Sequence, residues 1–92
     1  MKSRMIVDLK IRLNNVDECE AVRKAVQVDN TDLPECIREI SLRCDESTLV
    51  TYISCEISES QNILTIWSTV DDLVRCIRAA LEALREVEKK RI

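Results

Sequence analysis

The sequence contains no glycine, no histidine and no phenylalanine, and its aromatic side chains are Tyr52 and Trp67 alone. Each absence removes a class of function. Without histidine, the commonest general base, the commonest metal ligand and the side chain that titrates near neutrality are all missing. Without glycine there is no Gly-rich loop to cradle a phosphate, and turns fall to Asn and Asp, which bond their own backbone and tolerate left-handed geometry. Two aromatics make no platform for stacking bases. The formal charge of −3 lacks the basic excess that holding nucleic acid through the protein's own surface requires. No apolar run approaches the roughly 18 residues of a membrane span, and Met1–Arg4 is too short and polar for a secretory signal, so a cytoplasmic protein is expected.

The 92 residues suffice for one domain, 1–92, with one modest core. Cysteines stand at 19, 36, 44, 55 and 76, an odd number without a CxxC pair. They read as small buried apolar residues of an intracellular protein, although one disulfide between neighbouring strands stays open. The spacing offers no ligand pairs for zinc. No nucleophile has an identifiable base, and no cofactor is implied. Asp71-Asp72 are adjacent carboxylates in a helix, but they point about 100° apart and cannot share a proton or a metal. The expectation is a protein that is not an enzyme.

The chain is organised around its C-terminal third. From Gln61 to Lys89 the sequence reads as one helix of about 40 Å. Ile63, Ile66, Trp67, Val70, Leu73, Val74, Ile77, Leu81, Leu84 and Val87 fall on one broad apolar face, opposite Asp71, Arg75, Arg78, Glu82, Arg85 and Lys89. Beside that face lies a band of small residues, Ser68, Asp72, Cys76, Ala79, Ala80 and Ala83, where another helix could approach closely.

Before it, Met5, Val7, Leu9, Ile11 and Leu13 alternate with polar residues in the period of a half-buried strand. Asn15, with Glu18 three residues on, fits a capping box and opens a short helix. Val16, Cys19, Val22 and Val26 form the inner stripe of that helix, and Ala21 and Ala25 form a second, small-residue side. Asp29-Asn30-Thr31-Asp32 is expected to turn the chain, and Pro34 ends the helix. A second strand over 36–44 puts Cys36, Ile40, Leu42 and Cys44 inward, with Arg38 an awkward member of that face. Asp45-Glu46-Ser47 is short enough to force a hairpin. Leu49, Thr51, Ile53, Cys55 and Ile57 then alternate inward on a third strand.

The expected fold class is α+β, in the order β-α-β-β-α. The third strand inserts between the other two to give an antiparallel sheet of order 2-3-1, with both helices on one face. The other face would carry Ile6, Asp8, Lys10, Arg12, Ile37, Glu39, Ser41, Arg43, Val50, Tyr52, Ser54 and Glu56, and could stand in water. Two edge strands without Pro are left open, so pairing through an edge is the plainest route to a dimer. The final cluster of Lys89, Lys90 and Arg91 complements the negative end of the helix dipole, with contact to an RNA phosphate as the alternative.

Two stretches resemble the Pcc family, the small dimerisation subunit of the KEOPS complex. Ala21-Val22-Arg23-Lys24-Ala25-Val26-Gln27-Val28-Asp29-Asn30 is similar to the family's first helix and its Pro-Asp-Asn turn, with Val28 in place of proline. Val70-Asp71-Asp72-Leu73-Val74-Arg75-Cys76-Ile77-Arg78 is similar to its signature Ile-Asn-x-Leu-Leu-Arg-Trp-Ile-Lys. Arg75, Ile77 and Arg78 sit on that pattern, whereas Asp71 replaces Asn and Cys76 replaces Trp. The resemblance implies a non-catalytic subunit of the machinery that attaches threonylcarbamoyl to adenosine in tRNA. Its two helices would dock on the catalytic threonylcarbamoyl-transferase subunit, a second family member would join through the sheets, and tRNA would be met only indirectly. Trp67 also stands where an Arg is common before the motif, and these departures point to a diverged paralogue that heterodimerises with a standard Pcc subunit, the resemblance implying an archaeal one. A homodimer-forming standard subunit and a small RNA-binding α+β domain are the alternatives.

Overall fold

A computed structural model describes residues 3–27 and 33–90. The element order is β1 (Ser3–Arg12), α1 (Val16–Ala25), β2 (Ile37–Asp45), β3 (Thr48–Ile57) and α2 (Gln61–Lys90). The sheet has the order β1-β3-β2, with β3 antiparallel to both neighbours, and this is the expected α+β arrangement. The turn expected over Asp29–Asp32 lies outside the described residues.

Period-two patterning fixes the inner face of the sheet. Leu49, Thr51, Ile53 and Cys55 of the central strand have no exposed surface at all, and Ile37 and Ile40 of β2 join them. Cys19 and Val22 of α1, Val26 at its C-terminal cap, and Ile66, Leu73 and Ile77 of α2 close the core from above. The threonine in this row keeps a buried hydroxyl with no partner, so Thr51 serves by its β-branched shape.

The start of β2 departs from simple alternation. The register passes from Ile37↔Cys55 to Glu39↔Ser54, so Arg38 is the extra residue of a bulge. This turns Ile37 inward, 4% exposed, instead of onto the outer face. It also sends Arg38 out to an ion pair with Glu56 at 2.8 Å, away from the inner face. Thus the awkward arginine is accommodated by one added residue rather than by burial. On the outer face Val50 and Ser54 are also buried, because they lie in the middle strand between Lys10 and Arg43 and between Ile6 and Glu39.

The hairpin is tighter than the expected three-residue connection. Asp45 pairs with Thr48, leaving Glu46-Ser47 as a two-residue loop, and Glu46 adopts φ 56° because no glycine is there to take the left-handed position. At the start of α1, Asn15 Oδ1 accepts the Glu18 N–H at 2.8 Å, as a capping box requires. The return bond differs, since Glu18 Oε1 accepts from the N–H of Asn14 rather than of Asn15. Val16, expected inside, is 51% exposed, so α1 is anchored by Cys19, Val22 and Val26.

Candidate functional site

The covering of the inner face is uneven. Helix α1 lies over β2 and β3, and β1 is left at the side, where the first half of α2 borders it. Met5, Val7, Leu9 and Ile11 are consequently half-buried, although they carry the same pattern as the buried residues of β3. Between Met5, Val7 and Leu9 on one wall and Ile63, Ile66, Trp67 and Val70 on the other runs an apolar groove of about 270 Å³. Ile63 and Trp67, expected on the covered face of α2, are 41% and 68% exposed at its rim, and Leu64 beside them is 70% exposed.

The groove opens directly beside a strand edge that has no ladder partner among the described residues. The Leu13 N–H donates to the Ser47 carbonyl at 2.9 Å, continuing the β1–β3 ladder. By the two-residue alternation of an antiparallel ladder, the backbone groups of Arg4, Ile6, Asp8, Lys10 and Arg12 face away from β3. Ten residues of regular strand thus present unused donors and acceptors, with alternate side chains leading into an apolar recess. That is the geometry of a site for strand addition.

A second surface lies on the helices. Asp72, Cys76, Ala79 and Ala83 of α2 are exposed, Ala80 is half-buried, and on α1 Ala25 is exposed and Ala21 half-buried. Ala25, Asp72 and Cys76 come together in one groove of about 420 Å³, floored by Val26, Ile40 and Leu73. Ala79 and Ala83 continue the band along α2 beyond it. A small side chain at 76 leaves this groove open, and small residues around it let a helix come close. Asp71 forms an ion pair with Arg75 one turn on, at 3.1 Å, on the exposed surface of α2. Arg78 is exposed. Asp29 and Asn30 lie outside the described residues, and so does Arg91; Lys89 and Lys90 are exposed at the end of α2.

The electrostatics of the helix pair centre on Glu18. Its carboxylate is buried at the start of α1 and meets Arg85 of α2 at 3.3 Å. Burial alone would raise its pKa, but the Asn14 N–H and the Arg85 guanidinium outweigh it and hold the group below the ordinary glutamate value.

The structure pairs two of the cysteines across elements. Cys19 of α1 is disulfide-bonded to Cys44 of β2, with the Cα atoms 6.1 Å apart, so the link joins helix to strand rather than strand to strand. Cys36 and Cys55 are free and buried, while Cys76 is free and exposed, contrary to a wholly buried set. Cysteine spacing carried no signal of this pairing, which depends on where α1 lands on the sheet.

Among the described residues, no group of His, Cys, Asp or Glu side chains is placed to hold a metal ion, and no helix is long and apolar enough to cross a membrane. No family model matches the chain, and no curated protein matches it.

Proposed function

We propose that this chain is a non-catalytic assembly subunit that joins a second small subunit through β1 and offers the small-residue face of α1 and α2 to a larger partner. The observation that carries this reading is the coincidence of an uncovered ten-residue edge with an apolar groove beside it. Strand addition supplies main-chain hydrogen bonds, and the groove rewards alternate apolar side chains of the incoming strand. The resemblance of 21–30 and 70–78 to the Pcc family supports the KEOPS complex as the assembly and a standard Pcc subunit as the strand partner. The catalytic threonylcarbamoyl-transferase subunit is then the helix partner, and tRNA is served indirectly.

A second reading, a homodimer, draws on the charges of β1. In an antiparallel pair centred on Leu9, Asp8 of one copy lies opposite Lys10 of the other, twice over, which favours self-pairing.

Light scattering coupled to size-exclusion chromatography tests both, on the chain alone and mixed with a standard Pcc subunit. A one-to-one heterodimer that replaces any self-assembled peak, and is lost in Val7→Lys, supports the first reading. A self-dimer indifferent to the Pcc subunit selects the second. A monomer in both runs overturns strand addition. For the helix surface, Asp71→Asn combined with Cys76→Trp is expected to tighten binding to the catalytic subunit; unchanged or weaker binding sinks that assignment.

A further inference from the structure

Helix α1 is held in place by a small apolar footprint, one ion pair and its disulfide. Ten residues fall short of the length at which a helix stands alone in water. Its apolar contribution to the core is limited to Cys19, Val22 and Val26, all of modest size. The Glu18–Arg85 ion pair has one exposed partner, since the Arg85 side chain is 46% accessible. The covalent link to Cys44 closes a separation of 25 residues, and a reductant can remove it.

We propose that Cys19–Cys44 is a site of thiol–disulfide exchange at which a dithiol reductant releases α1 from the edge of β2, thereby regulating the helix face assigned above to a larger partner. The regulatory part rests on that assignment, whereas the release of α1 does not. Access decides which sulfur is attacked. Cys19 has no exposed surface, but Cys44 is half-buried on an outermost strand, next to the hairpin. A thiolate of the reductant bonds to Cys44 Sγ, the Cys19–Cys44 bond breaks, and Cys19 leaves as a thiolate that takes a proton from water. The second thiol of the reductant then attacks the mixed disulfide and frees Cys44. The pair gains two electrons and two protons, and the reductant departs as an intramolecular disulfide. Reshuffling through Cys36 or Cys55 does not compete, because both are buried, and burial together with the neighbouring Cys36 pushes the Cys55 thiol up, away from thiolate.

Release of α1 has local consequences. Val22 and Val26 leave the core, and Ala25 no longer forms one wall of the groove that it shares with Asp72 and Cys76. The strands keep their ladder, since neither β1–β3 nor β2–β3 pairing passes through α1.

Amide hydrogen exchange on the isolated chain, with and without dithiothreitol, tests the release, after alkylation in denaturant has counted the thiols. Three alkylated cysteines in unreduced protein and five in reduced protein are expected. Reduction should lower the protection of amides 19–26 by roughly 400-fold, the scale set by opening a loop of this length, and that of amides 49–55 by less than 10-fold. Cys44→Ser should show the reduced pattern without reductant. Five thiols before reduction, unchanged protection of α1, or equal loss in α1 and β3 would each overturn the proposal. Because no partner is present, failure of the assembly reading leaves this result intact, and loss of catalytic-subunit binding on reduction, with β1 pairing retained, connects the two.

Discussion

The two edges of the sheet carry similar alternating sequences and meet different fates. On the β2 side, Ile40 is 5% exposed under α1, a bulge at Arg38 interrupts the start of the strand, and a disulfide fastens the helix to Cys44. On the β1 side the register is unbroken over ten residues and the inner row opens on a groove. Bulges, charges and a covering helix are how proteins keep an edge from recruiting another strand. One edge strand is interrupted by a bulge and packed beneath a helix, and the other is regular and borders a groove, so the two edges differ because of where α1 lies.

This contrast can be broken most strongly in the core. Ile40→Ala is expected to cost about 3 kcal/mol of unfolding free energy in urea titrations, because a buried side chain is lost together with the contacts around it. Leu9→Ala, on the open side, should cost about 1 kcal/mol in the isolated chain, since much of that side chain is already in water. Equal costs would mean that β1 is covered in solution. Glu18→Gln sharpens the closed side, with an expected loss of about 1.5 kcal/mol from weakened bonds to the Asn14 N–H and Arg85. Its sign in pH follows from the lowered pKa. The contribution is fully present above the ordinary glutamate value near 4.3 and is lost as pH falls through the lower, folded value, so the wild type should lose more stability in acid than Glu18→Gln. The smallest effect belongs to the hairpin that ties β2 to the central strand. Glu46→Gly should stabilise by about 0.5 kcal/mol, as relief of the left-handed backbone exceeds the entropy that glycine loses on folding.

The fold was legible because its signals are local and mutually consistent. Alternation over Met5–Ile11 and Leu49–Ile57, the short 45–47 connection and the long apolar stripe after Gln61 leave few ways to assemble five elements. The bulge was half-legible: a charged residue at 38 broke the inward pattern, but periodicity says nothing of an added residue. Exposure of Ile63 and Trp67 could not be read, since helical spacing marks an apolar face without saying how much sheet lies beneath it. The disulfide depends on the landing position of α1 over β2, a tertiary fact. Of the candidate surfaces, helical spacing placed the small residues at 25, 72 and 76 on helix faces, and the structure brings them into one groove, whereas the β1 groove emerged only from the difference in covering.

The length of α2 has a hydrodynamic consequence. Its 30 residues make a rod of about 45 Å over strands of about 33 Å, and the molecule measures 57 × 21 × 20 Å. A body nearly three times as long as it is wide tumbles slowly end over end and quickly about its axis. Amide N–H vectors in α2 point along that axis and those of the sheet lie across the strands, so nuclear spin relaxation should separate the two sets. Lateral growth of the sheet at β1 would widen the particle without lengthening it, and the two relaxation classes would draw together, which makes tumbling anisotropy a direct reporter of assembly.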